Sequence, residues 1–298
     1  MQVRALRLAA SVSRLHIVVI AGLGTFTFGW VLTGRRGWLV AAVSALDWFL
    51  VNLLNRVVDQ REDQANAVLA ADFAARHRRA ILAGGLGALL LSLPALHLVL
   101  PRLTPFRAAY HALGLCYNWP LLPGRRRIKQ LYFWKNTASA LGFMLTVFAY
   151  PLAAAWRAGG PGLAPDISAA TIVTAGVFFF LFELSYEVIY DLRDAPGDRL
   201  AGVRTYPVAH GERAAVHIVD GLLVSAMLTL ALGLATRVVP WRLFIMICAP
   251  LLQLGLYKRA LRRGITSGDC VALTWLGALL LFTYHVWVVL RLPGAGLP

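Results

Sequence analysis

Apolar runs of about twenty residues recur along the whole chain, and about twenty apolar residues are what a helix needs to cross the hydrocarbon of a bilayer. They cover 16–33, 37–58, 80–101, 105–122, 131–155, 168–190, 214–236, 240–257 and 268–291. Composition agrees: 14% of residues are charged, against about 25% in a soluble domain. The expectation is an all-α polytopic membrane protein with nine transmembrane helices in one bundle. No linker is long enough for a second soluble domain, so residues 1–298 form a single domain. The fourth run is the weakest, because Arg107, His111 and Asn118 interrupt it. The first follows a basic stretch (Arg4, Arg7, Arg14) like a signal peptide, but no small-x-small cleavage site precedes Arg35, so it reads as a retained span.

Net charge is +15. In a membrane protein such an excess reflects cytoplasmic loops beside anionic lipid. Placing the N-terminus inside puts 21 Lys and Arg residues on that side and 8 on the other. That bias predicts a cytoplasmic N-terminus and a C-terminus on the opposite side; the expected location is a bacterial plasma (inner) membrane. No basic stretch is interleaved with aromatics in a soluble region, so nucleic acid is not an expected partner. Cys116, Cys248 and Cys270 form no C-x-x-C pair and read as packing residues. The histidines, including His97, His111 and His285, form no H-x-x-x-H pair and read the same way.

Acids are scarce, 14 in 298 residues, and eight of them fall in two stretches that each end an apolar run. One is Asn55-Arg-Val-Val-Asp59-Gln-Arg-Glu62-Asp63 and the other contains Glu183, Glu187, Asp191, Asp194 and Asp198. On a helix, steps of four residues drift by about 40°, so Asn55, Asp59 and Asp63 share a face. Carboxylates and an amide oxygen on one face suit a hard cation such as Mg²⁺. The plainer account is a solvated helix end salt-bridged to Arg56 and Arg61, but solvated acids would be spread more evenly. The acidic stretches end the second and sixth runs, and basic clusters (Arg125–Lys129, Lys258–Arg263) follow the fourth and eighth. This suggests an internal repeat, two four-helix halves plus a ninth helix, with both acidic stretches at one mouth.

Two acid sets beside basic loops suggest a metal-bound diphosphate, with Arg127, Lys129 and Arg204 neutralising its remaining oxygens. The apolar bundle would house an attached hydrocarbon tail. Loss of diphosphate from an allylic chain leaves a carbocation, which a dry pocket shields from water.

These stretches resemble the motifs of the UbiA superfamily of intramembrane prenyltransferases. Asn55-x3-Asp59-x3-Asp63 fits the first, N-x-x-x-D-x-x-x-D. Asp191-x2-Asp194-x3-Asp198, followed by Gly202-x2-Thr205-x-Pro207, looks like the second. Tyr117-Asn-Trp-Pro120 and Arg127-Ile-Lys129 resemble the family's Y-x-x-P and R-x-K stretch. The resemblance covers runs one to seven, and nine spans is the family's number. One departure stands out: many members carry R-P-L-x-x-G after the first motif, where this chain reads Ala70-Ala-Asp-Phe-Ala-Ala-Arg-His-Arg-Arg79.

The resemblance implies Mg²⁺-dependent transfer of a polyprenyl group from a prenyl diphosphate to a hydrophobic or aromatic acceptor, such as a quinone precursor, within the membrane. Carried over by position, Asn55, Asp59 and Asp63 bind one Mg²⁺, and Asp191, Asp194 and Asp198 the second. Asp59, Asp63, Asp194 and Asp198 are the expected catalytic acids. Lys129 and Arg127 contact diphosphate, and Tyr190 faces the cation; lipid-headgroup contact is the alternative role for each basic residue. Competing functions are a terpene cyclase of the same superfamily, which needs no acceptor, and a cation-coupled transporter, for which Asp47, Glu183 and Glu187 lie at suitable depth.

Two local expectations complete the reading. Pro196-Gly197 should stop the sixth helix near Asp194 and leave Asp198 on a loop. Asp47, in mid-span, either holds helices together through a tyrosine or histidine of a neighbour, or contacts a polar group of the acceptor below the diphosphate.

Overall fold

Helices begin and end where the apolar runs meet Gly, Pro and charge. The computed structural model describes residues 2–65, 69–156, 160 and 162–294. The side chains of Arg4, Arg61 and Glu62, together with Arg157 and the C-terminal Pro298, lie outside the described residues. A short α1 (Gln2–Val12) leads into α2 (Leu15–Thr33) and α3 (Trp38–Val58). Two short helices follow, α4 (Gln60–Ala65) and α5 (Ala71–Arg76), then α6 (Arg78–Val99) and α7 (Thr104–Asn118). The next crossing joins α8 (Trp134–Met144) to α9 (Tyr150–Ala155) through a π-turn, Leu145–Ala149. The long α10 (Ala169–Leu200) and a short α11 (Tyr206–His210) precede α12 (Glu212–Ala235). The last crossings are α13 (Trp241–Phe244) continuing into α14 (Cys248–Leu261), and α15 (Ser267–Val289).

Eight of these stretches are long and apolar enough to cross a membrane. The ninth, α7, has 15 residues and carries the polar side chains that weakened its run in the sequence. Leu90, Leu91 and Leu98 on α6 are more than two-thirds exposed; lipid, not water, is the solvent in which such a surface costs nothing.

The interior is sealed by aromatic and small residues. Trp48 of α3 stacks on Phe143 of α8 with ring centroids 4.0 Å apart. Its indole N–H donates to Thr146 Oγ1 at 3.0 Å. A π-turn leaves carbonyls without their usual α-helical donors, and here Thr25 of α2 donates to the Thr146 carbonyl at 3.0 Å. The last helix, α15, closes the bundle by packing on α2. A Cβ on Gly277 of α15 would stand 2.8 Å from Ile20 Cδ1 of α2, so a small residue sets how closely these helices approach. At the end of the bundle away from the acidic stretches, Asp166 is held below the usual carboxylate range by hydrogen bonds from Arg242, one of them 2.6 Å.

Pro196 does not end α10. The helix runs on to Leu200, with Val203 N–H closing on the Asp198 carbonyl at 2.8 Å. Proline removes one backbone donor and clashes with a carbonyl one turn back, but α10 is tied across the bundle on both sides of it, at Asp191 and Asp198. Asp198 therefore stays on the helix, one face shared with Asp191 and Asp194. The first motif shows the opposite departure. Its helix turns at Asp59 (φ −88°, ψ 20°), and α4 starts afresh, although Asp59 and Asp63 still donate backbone N–H to the carbonyls four residues back.

Candidate active site

The ends of α3, α4 and α10 meet the 119–133 loop and the start of α8 around a cavity of about 660 Å³. Asn55, Asp59 and Asp63 line one wall, and Asp191, Asp194 and Asp198 another. Asp59 is 6% exposed and accepts from Lys129 Nζ and from Arg127 Nη1, the latter at 3.2 Å. The loop delivers both cations through a 3₁₀ turn, Ile128–Gln130. Arg56 donates to Asp63 Oδ2 at 2.7 Å and to the Ser11 carbonyl at 2.9 Å, fastening α1 across the mouth.

On the other wall Lys135 Nζ bridges Asp191 Oδ1 (2.7 Å) and Asp198 Oδ2 (3.1 Å), while Asn136 Nδ2 donates to Asp191 Oδ2 at 2.8 Å. Asp194 is paired with its neighbour Arg193. The Arg193 guanidinium also lies 4.7 Å over the Tyr190 ring, whose hydroxyl meets Thr274 Oγ1 at 2.9 Å. Tyr190 lines the cavity, with one ring face already taken by a cation.

Each acid of the two motifs thus faces a cation. Among the described residues no three His, Cys, Asp or Glu side chains converge closely enough to hold an ion unaided. The donor set nonetheless fits Mg²⁺. It is all oxygen, the preference of a hard cation, and Asn55 Oδ1 is buried on the cavity wall with no hydrogen-bond partner. An ion entering with its own phosphate ligands would meet carboxylates whose lysines and arginines can turn to the phosphate oxygens.

Two sequence expectations are corrected. Arg204 is exposed, its guanidinium 5.9 Å from the Tyr132 ring, and it is not among the cavity-lining residues. Asp47 does not reach the cavity either. Its carboxylate is fully buried and receives Arg107 Nε (2.9 Å) and Nη2 (2.6 Å), His111 Nε2 (3.0 Å) and the Tyr150 hydroxyl (2.8 Å). Arg107, one of the residues that weakened the fourth run, is 1% exposed inside α7. A carboxylate in the bundle needs such a counter-charge.

Sequence reasoning missed Lys135 as a site residue, having used it only to assign sidedness. Its place at the start of a predicted span, level with the ends of both acidic runs, was the available signal.

A bundle of membrane-length helices thus brings two acid motifs from distant parts of the chain to one polar-mouthed cavity. The family follows from comparison: a sequence profile of the UbiA prenyltransferase family matches residues 15–270, and the chain belongs to that family. The chain is also similar to a digeranylgeranylglyceryl phosphate synthase of Natronomonas pharaonis, 27% identical over 104 residues. That match takes in 35% of this chain and spans only 36% of the relative's length. Among solved structures, a UbiA homolog from Archaeoglobus fulgidus bound to GPP and Mg²⁺ has the same fold, with TM-score 0.69 at 15% identity over 95% of this chain and 98% of that one. A structure concerning digeranylgeranylglyceryl phosphate synthase in membranes aligns with TM-score 0.60 at 15% identity, over 94% and 97%.

Proposed function

We propose that the protein transfers a prenyl group from a prenyl diphosphate to a hydrophobic or aromatic acceptor within the membrane, with Mg²⁺ as cofactor. The observation that carries this is the meeting of both acid motifs, each holding buried cations, at the mouth of one cavity that continues between aromatic residues. The similarly folded homolog bound to GPP and Mg²⁺ supports it.

Asn55, Asp59 and Asp63 would hold Mg²⁺ on one side, and Asp191, Asp194 and Asp198 on the other. The metal, when bound, supplies the positive charge that makes diphosphate a good leaving group. Lys129 and Lys135, both buried or nearly so, turn from carboxylate to phosphate oxygens and fix the diphosphate. The bond from C1 of the prenyl chain to the diphosphate oxygen breaks with its electron pair on oxygen. A new bond forms from C1 to the acceptor, which sheds a proton. Glu187, one helical turn deeper than Asp191 and held by Ser139 at 2.7 Å, is the carboxylate placed to receive it. Trp48, Tyr110, Phe143 and Tyr186 line the cavity and keep water from the electron-poor carbon. Asp47, the deepest of the acids a transporter would need, is already neutralised by Arg107.

Mass spectrometry of products from GPP and a panel of aromatic and alcohol acceptors tests the proposal. Coupled products should form with Mg²⁺ and vanish with EDTA. Consumption of GPP to hydrocarbon alone would favour a cyclase, and no consumption would refute both.

The charge bias also assigns the acid-motif end to the cytoplasm. With Cys116, Cys248 and Cys270 replaced, single cysteines at Gln64 and Thr236, both exposed and at opposite ends of the bundle, should label from opposite sides of intact cells or vesicles, Gln64 from the cytoplasmic side. Labelling from one side would overturn the nine-crossing order.

A further inference from the structure

One carboxylate in the cavity has no partner. Glu183 lies on α10 two turns before Asp191, about 12 Å deeper at 1.5 Å per residue. It lines the cavity, is 8% exposed, and makes no hydrogen bond or ion pair with any described residue. Its neighbours along the helix differ: Glu187 is held by Ser139, and Asp191 by Lys135 and Asn136.

The cations of the cavity do not reach that depth. Arg7, Arg14, Arg56, Lys129, Lys135 and Arg193 all belong to the mouth, on α1, at helix ends or on the 119–133 loop. The residues level with Glu183 are aromatic. Trp48 and Phe143 lie about 12–17 Å deeper than Asp59 and Lys135 on their own helices, and both line the cavity. A prenyl chain alone in this region would leave Glu183 desolvated and unmatched, which costs free energy in either protonation state. A hydroxyl group satisfies it in both: it donates to a carboxylate, and exchanges hydrogen bonds with a carboxylic acid. A carboxylate in the same place is desolvated with no cation to offset its charge, and an ionised Glu183 would repel it as well.

We propose that Glu183 is the acceptor-recognition residue of the cavity, receiving an uncharged hydroxyl group of the acceptor and selecting against acceptors that present a carboxylate there. This rests on the prenyl-transfer reading for the identity of the ligand as an acceptor, while the binding preference stands apart from catalysis. A site built around a buried polar group discriminates strongly against a ligand that leaves it unpaired or opposes its charge.

The test is equilibrium binding of two matched probes, benzyl alcohol and benzoate, to the full chain in lipid nanodiscs without GPP. Wild type should bind the alcohol at least about tenfold more tightly than the carboxylate. Glu183→Leu should lose about tenfold in alcohol affinity, and Glu183→Gln, which keeps the shape and a hydrogen-bonding group, should bring the two probes within about threefold of each other. Wild type binding both equally, preferring the carboxylate, or binding neither overturns the inference, as does an unchanged ratio in Glu183→Leu. Mg²⁺-dependent loss of GPP is measured on the same wild-type preparation. If it is absent while the probes are still discriminated, the prenyl-transfer reading fails and Glu183 remains a hydroxyl-recognition group.

Discussion

Asp59→Ala and Asp198→Ala should each lower kcat/KM by about a hundredfold or more, ~3 kcal/mol of lost transition-state stabilisation. The two sit on opposite walls of one cavity, so each variant leaves the other wall intact. In Asp59→Ala, Lys129 and Arg127 lose the carboxylate they share, and the diphosphate gains two cations but loses a metal ligand. In Asp198→Ala, Lys135 keeps Asp191 at 2.7 Å, so the local structure persists while the oxygen donor is gone. Electrostatics alone would let the freed lysines partly compensate; metal ligation would not, because an ammonium cannot replace a coordinating oxygen. Product formation over a Mg²⁺ titration separates the two. A metal ligand predicts a large loss that excess Mg²⁺ only partly restores; Asp198→Ala, where Lys135 keeps Asp191, should melt close to wild type, and Asp59→Ala below it, because the buried Lys129 loses this carboxylate. Near-wild-type turnover in either variant, or in EDTA, would remove the acid motifs from the mechanism.

The second large effect is on stability. Asp47→Ala should cost about 3–5 kcal/mol, because it leaves the Arg107 guanidinium buried without a counter-charge. Arg107 is 1% exposed and also donates to the Ser92 carbonyl at 3.0 Å, so it has no route to water. Tyr150 and His111 lose their acceptor at the same time. The double variant Asp47→Leu with Arg107→Met should be far milder than the sum of the singles, since removing both charges removes the desolvation cost as well. Thermal unfolding in detergent reads this directly. Asp47→Asn is the informative single change: a lowered melting temperature with unchanged products fits a strut between α3, α7 and α9. Unchanged stability with an altered acceptor would instead return Asp47 to the site.

The R-P-L-x-x-G departure falls beside the first motif, where α5 and the start of α6 carry Arg76, Arg78 and Arg79, all exposed. The mouth here is crossed by α1, through the hydrogen bond from Arg56 to the Ser11 carbonyl.

What this sequence determined by itself follows from physics that acts locally. Apolar length decides that a segment crosses a bilayer, basic residues between segments decide on which side a loop lies, and spacing decides which acids share a helical face. Most of the membrane-length helices, the two acid motifs and the basic loop beside them were legible on those grounds. The tertiary structure decided what depends on a neighbour from elsewhere in the chain. Asp47 could be read as a strut or as a cavity acid until Arg107, sixty residues on, was found against it with His111 and Tyr150. Lys135 looked like a topology marker until α10 brought Asp191 and Asp198 to its ammonium. Pro196 should have ended its helix, but cross-bundle ties hold both sides of it. Glu183 is the converse case: its neighbours on α10 found partners on α8, and it did not. Charge pairing across helices in a low-dielectric interior is strong enough to assign these roles, and no spacing within one segment encodes it.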